Sequence, residues 1–330
     1  MKRGLVIGKF MPVHLGHIAL IEFAASMCDE LIVSMSYTPR DPIPANLRFN
    51  WLTEIFNDHP VVKPFLVEDN FDNENLPLPE RTRIWANFIS RTYPPIDMLI
   101  SSEEYGIPFA QHLKAVHVLF DPDRERIPVS ATLIRREPFK YWSFIPTQVK
   151  PYFVKKICLY GAESTGKSTL TLQLAERYNT TSVPEVAREF LTSNNFTVDD
   201  IIRIGHAQID RIKEKLLISN KVLFCDTDTI TTQIYSNHYL KTIPDVLYSL
   251  EKEITYDHYF LLDIDVGWVA DGLRDLGDRR EEMMYTFRKA LETRSIPYTL
   301  VSGNWQQRLN TIEKVLMEKF SLPKPDSNIS

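Results

Sequence analysis

Two doubly wound α/β domains, each built on a parallel sheet, are what this sequence predicts, and three observations predict them. The chain has 330 residues, about two domains' worth. Its first half alternates short apolar runs of strand type with longer runs of helix type, the pattern of a parallel sheet with helices on both faces. Near the middle, Gly161-Ala162-Glu163-Ser164-Thr165-Gly166-Lys167-Ser168 reads G-x-x-x-x-G-K-[ST] between an apolar strand and an amphipathic helix, the context that gives this motif its meaning. Such a loop follows the first strand of its own sheet, so residues before it must form another domain.

In the N-terminal half, strands are expected over 4–7, 31–36, 61–67, 98–101 and 115–120, and helices over 15–27, 47–56 and 79–92. Sheets of this type collect ligands at the carboxyl ends of their strands, beside helix N-termini. In the C-terminal half, 155–160 is the strand that feeds the glycine loop. Leu170, Leu172, Leu174 and Ala175 give the next helix its apolar face. Further strands are expected over 221–225 and 258–262, amphipathic helices over 283–292 and 308–319, and a short polar tail from Ser321 to Ser330.

Composition narrows the function classes. The chain is 44% apolar, as soluble globular chains are, and its formal charge of −5 argues against a general nucleic-acid binder. Cys28, Cys158 and Cys225 lie far apart, and two sit in apolar runs, so they read as buried thiols of a reducing cytosol. No run approaches the roughly 18 apolar residues of a membrane span, and the N-terminus has no signal-peptide core. A cytoplasmic location without membrane insertion is expected.

The glycine loop is a phosphate cradle. Its glycines let successive N–H groups point inward, and the following helix adds its partial positive end. Gly161 through Thr169 would wrap the phosphates of ATP, with Lys167 on the β and γ groups and Ser168 on Mg²⁺. A second motif stands at the end of the first strand, Gly8-Lys9-Phe10-Met11-Pro12-Val13-His14-Leu15-Gly16-His17. His14 and His17, three apart at a helix start, can both donate hydrogen bonds to phosphate oxygens that gain charge in a transition state. Taken alone, a histidine pair is as well read as a metal pair or as surface residues.

The full spacing G-x-F-x-P-x-H-x-G-H resembles the signature of the nucleotidyltransferase superfamily. Val129-Ser130-Ala131-Thr132-Leu133-Ile134-Arg135 is similar to that superfamily's second motif. Ser130 suits a helix N-cap, with Arg135 one turn along. A nucleotidyltransferase domain followed by a P-loop kinase, joined by 138–146, resembles the bifunctional NadR proteins, which combine nicotinamide mononucleotide adenylyltransferase with ribosylnicotinamide kinase. The likeness extends to Thr38-Pro39-Arg40-Asp41, Asp121-Pro122-Asp123-Arg124, Asp226-Thr227-Asp228 and the stretch Trp268 to Gly277. Some members carry a helix-turn-helix repressor segment. Here a strand starts within a few residues of Met1, so operator binding is not expected.

The resemblance implies a Rossmann-like adenylyltransferase domain over 1–137, a linker over 138–154 and a kinase domain over 155–330. It implies that Gly8, Lys9, Phe10, His14, His17, Asp121, Arg124, Ser130, Thr132 and Arg135 bind ATP in the first domain. Trp85 matches a tryptophan that stacks on the nicotinamide ring, a contact worth about 0.5 to 2 kcal/mol; it reads equally as core, since Ile84, Phe88 and Ile89 flank it. Ser102 and Glu103 would border the same pocket. In the kinase half, Glu185 and Arg188 look like a small-molecule kinase pair, the Glu accepting the acceptor's proton and the Arg steadying phosphate. Local pairing of the two is the plainer reading. Asp226 and Asp228 follow a strand that ends beside the glycine loop, where a carboxylate handles Mg²⁺ through water or binds the acceptor sugar. Either Glu185 or Asp226 could be the base. Gly267 to Arg280 reads as a lid whose Arg274 and Arg279 close on the transferring phosphoryl group, with Trp268 against the riboside. The expected small molecules are nicotinamide riboside, nicotinamide mononucleotide, ATP and NAD, with Mg²⁺ as cofactor and the chain as a homo-oligomer. Two rivals share parts of the pattern: a coenzyme A synthase joining pantetheine phosphate adenylyltransferase to dephospho-coenzyme A kinase, and a regulator that senses NAD and ATP without turnover.

Overall fold

The computed structural model describes residues 1–269 and 275–323. The chain divides into two compact units, Met1–Lys150 and Pro151–Ser330.

The first unit runs β1 (Arg3–Gly8), α1 (Leu15–Ala25), β2 (Glu30–Tyr37), α2 (Ala45–Ile55), β3 (Val62–Glu68), α3 (Leu78–Thr92), β4 (Met98–Ser101), α4 (Gly106–Leu113), β5 (Val116–Leu119) and α5 (Ala131–Arg136). Its five strands are parallel in the order β3-β2-β1-β4-β5. Parallel neighbours need a crossover between them, and the helices supply it. The central strands are the apolar ones: Leu5, Val6, Leu31, Val33 and Leu99 are all fully buried. The edge strand β3 carries Lys63 and Pro64, and an edge is where a proline costs no ladder hydrogen bond. The strand order reverses beside β1, which puts the first histidine motif at the switch point where such sheets bind ligands.

The second unit opens with the short helix α6 (Lys150–Phe153), which straddles the division. It continues with β6 (Lys155–Tyr160), α7 (Lys167–Arg177), β7 (Ser182–Val183), α8 (Ala187–Phe190), α9 (Val198–Leu216), β8 (Val222–Asp226), α10 (Thr229–Leu240), α11 (Asp245–Glu251), β9 (His258–Leu262), α12 (Arg280–Thr293), β10 (Tyr298–Val301) and α13 (Trp305–Phe320). These strands are also all parallel, in the order β10-β9-β6-β8-β7. Every residue of β8 and β9 is buried, as inner strands covered on both faces must be.

Every strand and helix expected from the sequence is present, with ends shifted by a few residues. Helix α4 went unread because Gly106 and Pro108 open it, and both residues usually punctuate rather than build a helix. Helix α9, unread as well, begins with a reciprocal capping box in which Thr197 and Asp200 each satisfy the other's backbone N–H. The edge strands β7 and β10 are too short for a periodic signal. The segment 138–154 is folded and contributes buried side chains, Phe139, Ile145 and Val149 among them. Among the described residues, no helix is long and apolar enough to cross a membrane.

Helix α13 is tied to the glycine loop by Arg308, whose side chain is completely buried. Its guanidinium donates to the carbonyls of Thr165 (2.7 Å), Gly303 (2.9 Å) and Asp263 (3.0 Å), and to the Asp265 carboxylate. Removing it strands several buried acceptors at once. Arg308→Ala should therefore destabilise the protein by about 3 to 5 kcal/mol in urea unfolding, whereas a change below about 1 kcal/mol would show that water replaces the guanidinium.

Candidate active sites

The first site is built at the carboxyl end of β1. His14 is the N-cap of α1: its carbonyl accepts from the N–H groups of His17 (2.9 Å) and Ile18 (3.1 Å), and its Nδ1 lies 3.4 Å from the His17 N–H. Three residues on, His17 stacks on it, with ring centroids 3.7 Å apart and planes at 24°. Phe10 meets His17 edge-on at 5.0 Å. Gly16 is required by close approach, because a Cβ there would stand 3.0 Å from the His14 ring. His14 is buried, and His17 is half-buried with its Nδ1 out of contact with solvent. Burial, aided by the charge of Arg124, lowers the His14 pKa to about 3. Burial again, then His14 and Arg124, lowers that of His17, against a hydrogen bond to the Pro12 backbone. Both rings are thus neutral near pH 7, and each carries one N–H.

Other residues singled out from the sequence lie in the helix α5 and in the turn after β5. Ser130 caps α5, its hydroxyl accepting from Leu133 N–H at 3.2 Å. Arg135 donates to the Met11 carbonyl of the histidine loop and to the Thr132 hydroxyl (3.1 Å). Asp121 folds the turn after β5 by accepting from the N–H groups of Glu125 and Arg126. Sequence reading missed Arg48. It is fully buried on α2, donates to the Lys9 and Ile43 carbonyls, and is paired with Asp41 at 2.7 Å. Its one signal was an arginine in a helix beside Trp51 and Leu52, a stretch that turns its apolar face inward.

Beside this loop opens a cavity lined by Gly8, Lys9, Trp85, Glu103, Tyr105 and others. Trp85 both packs on the core and faces the cavity, held edge-on by Tyr105 and Phe109, each 5.8 Å away. Ser102 is not among the lining residues.

The second site forms at the carboxyl ends of β6 and β8. Gly166 caps α7 with φ of 87°, a left-handed conformation, and a Cβ on it would sit 2.5 Å from the Trp305 ring. Lys167 is buried, its ammonium donating to the Gly161 (2.9 Å) and Ala162 (2.8 Å) carbonyls. The cavity over the loop is lined by Glu163 to Thr169, by Glu185 and Arg188, and by Phe196, Tyr235 and Tyr239. Glu185 and Arg188 pair at 2.9 Å and both face the cavity.

Buried carboxylates set the electrostatics here. Desolvation raises the Asp226 pKa to about 6, with the Glu185 charge adding to it and Lys167 and a hydrogen bond from Ser168 opposing. Glu163 is raised to about 7, by burial and then by Asp275. Asp228 does not reach the cavity. It caps α10, accepting from the Thr231 N–H (2.9 Å) and hydroxyl (3.0 Å) and from the Tyr259 hydroxyl (2.9 Å), which uses its lone pairs. Trp268 and Arg279 are likewise not among the lining residues. Trp268 sits under the Arg280 guanidinium at 5.7 Å and against Gly277, and Arg279 pairs with Glu282. Arg274 lies outside the described residues. Arg280, the last arginine of the stretch read as a lid, donates to the Ser164 carbonyl at 3.3 Å. Sequence reading missed the tyrosines of α10, which carry no motif.

The buried histidine makes a prediction about acid stability. The unfolded chain protonates His14 near 6.5, the folded chain only near 3. Between those values the unfolded state binds more protons, so this contribution is fully present above 6.5 and is lost as pH falls toward 3. Replacing His14 with Asn, a neutral N-cap, should flatten the fall in urea stability between pH 6.5 and 4. An unchanged slope would place the acid sensitivity elsewhere.

Comparison with known proteins now adds to this geometry. Residues 5–137 match the family described as cytidylyltransferase-like, and residues 156–308 the family described as AAA domain. The trifunctional NAD biosynthesis/regulator protein NadR of Escherichia coli (strain K12) is 34% identical over 328 residues, covering 90% of this chain and 78% of that protein. A NadR protein solved in complex with NR superposes with a TM-score of 0.81 at 21% identity, over 98% of this chain and 97% of that one. Another, solved with NAD and AMP-PNP, gives 0.81 at 22%, over 100% and 98%. Two parallel-sheet units, a histidine loop on one and a glycine-lysine loop on the other, and one relative aligned across both mark this chain as a member of the NadR family.

Proposed function

We propose that this chain makes NAD in two steps, phosphorylating nicotinamide riboside in the second unit and adenylylating nicotinamide mononucleotide in the first. The observation that carries this reading is the presence of two complete phosphate cradles, each at the carboxyl ends of its own sheet, in a chain aligned along most of its length with a protein named for NAD biosynthesis.

In the second unit, the N–H groups at the start of α7 and the Lys167 ammonium bind the β and γ phosphates of ATP. Phosphoryl transfer passes through a loose transition state, so position and charge stabilisation are what the protein supplies. The acceptor 5′-hydroxyl enters from the side of Glu185, Arg188, Tyr235 and Tyr239, which line the same cavity as the loop. We assign its proton to one of two carboxylates. Glu185 is held by Arg188, and Asp226 sits beneath Ser168. The residues fit Mg²⁺: Oδ1 of Asp226 is buried without a hydrogen-bond partner next to the Ser168 hydroxyl, a hard-oxygen pair suited to that ion directly or through water. When bound there, Mg²⁺ neutralises phosphate charge.

In the first unit, the phosphate of the mononucleotide attacks the α-phosphorus of ATP and pyrophosphate leaves. The nucleophile is already an anion, so no base is needed. Neutral His14 and His17 present N–H donors without repelling Arg124 or Arg135, and the approach of a triphosphate raises both pKa values, strengthening those hydrogen bonds as charge builds. Trp85 offers its indole to the cationic ring of the mononucleotide.

The whole reading is tested by incubating the protein with Mg²⁺-ATP and, separately, nicotinamide riboside, nicotinamide mononucleotide, phosphopantetheine and dephospho-coenzyme A, and weighing the products. Only the first two should react. Because each unit has its own cradle, His17→Ala should lower adenylyl transfer by about 10²- to 10³-fold and leave riboside phosphorylation intact. Lys167→Ala should do the reverse; riboside kinase activity that persists in it, or is absent from the wild type, would sink the kinase assignment. Trp85→Ala should raise KM for the mononucleotide and leave that for ATP unchanged, since ring stacking is uniform binding. An unchanged mononucleotide KM in the folded variant would return Trp85 to a purely structural role.

A further inference from the structure

The cavity beside Trp85 has an uneven charge. Asp69, Asp72, Glu74, Glu103 and Glu104 line it, against Lys9 and Arg81. Lys9 lies 3.9 Å from Asp41. Arg81, one helical turn before Trp85 on α3, places its guanidinium 5.2 Å from the centroid of the Trp85 ring. It is therefore the cation nearest to where the pyridine ring of a mononucleotide would stack, and it is engaged. Its Nε donates to Asp72 Oδ1 at 3.0 Å and its Nη2 to Oδ2 at 2.5 Å, a two-point fork that aligns both groups. Against the desolvation of Asp72, Arg81 and then the nearby Trp85 indole hold its carboxyl below the usual range. The Asp72 side chain is 9% exposed and that of Arg81 23%, enough to protect the pair from full solvent screening.

This arrangement bears on a choice that the reaction itself does not make. Nicotinamide and nicotinic acid mononucleotides present the same phosphate to ATP and differ only on the ring, where one has a neutral amide and the other a carboxylate. A carboxylate in this cavity would meet mainly other carboxylates. It would also reduce the net charge of the ring and so weaken its attraction to the indole face. The cation that could compensate, Arg81, has its Nε–Nη2 edge on Asp72, whose carboxylate neutralises its charge.

We propose that Asp72 makes the adenylyl-acceptor site select the amide over the acid, by holding Arg81 in a two-point ion pair that neutralises its charge and keeps it from pairing with a ring carboxylate. Asp72 is a specificity-determining residue acting through Arg81, and the inference rests on the adenylyltransferase reading of this cavity. Asp72→Asn removes the charge but keeps the size. It releases Arg81 beside the ring, where it can pair with the carboxylate of the acid substrate.

The test is the ratio of kcat/KM for nicotinic acid mononucleotide to that for nicotinamide mononucleotide. A ratio taken within one variant is independent of how much of that variant is folded. The ratio should rise at least tenfold in Asp72→Asn, carried mainly by a lower KM for the acid. The gain should disappear in the double variant Asp72→Asn/Arg81→Met, which has no cation to release. A ratio within about twofold of wild type in Asp72→Asn, or a rise that survives in the double variant, overturns the proposal. Wild type that adenylylates neither mononucleotide would instead overturn the reading of the site on which it rests.

Discussion

Both phosphate loops of this protein hang on a buried arginine. A loop that points its N–H groups at a ligand must turn its carbonyls the other way, into the protein, where each needs a donor. In the second unit Arg308 supplies it, donating to the carbonyls of Thr165, Gly303 and Asp263 from a side chain with no exposed surface. In the first, Arg48 does the same for Lys9 and Ile43 and is balanced by Asp41. A guanidinium suits this task because its donors are several, planar and always charged. The desolvation of such a charge is costly, so it is found where the carbonyls it satisfies are equally costly to leave unpaired.

Around these anchors, burial tunes the two sites in opposite directions. Withdrawal from water disfavours charge whatever its sign. It lowers the imidazoles of His14 and His17 and raises the carboxyls of Asp226 and Glu163. The first site is thereby left with neutral donors that a polyphosphate can polarise. The second has carboxyl groups raised above their usual range, beside a lysine whose ammonium is fixed on the loop. One physical cause serves adenylyl transfer in one unit and phosphoryl transfer in the other.

What the amino-acid sequence by itself determined was whatever depends on local spacing. The two parallel sheets were legible because buried strands must be apolar runs and their crossovers must be helices. The cradles were legible because glycine, lysine and histidine at fixed offsets are demanded by the geometry of a phosphate loop. The N-cap Ser130 follows from the same kind of local rule. The tertiary structure alone decided which side chains from distant segments meet. Arg48 and Arg308 gave no motif, since an arginine's burial depends on the carbonyls it finds 39 and 143 positions away in the chain. The aspartates of the Asp226-Thr227-Asp228 stretch looked equivalent in sequence, yet Asp226 ends the strand β8 while Asp228 lies beyond it, past a left-handed turn at Thr227. One reaches Ser168 and the other is consumed in capping α10. Asp72 and Arg81, on either side of an irregular connection, form a pair only because the fold returns that connection to the start of α3. A charge's role depends on its partner across space, and spacing along the chain does not carry that information.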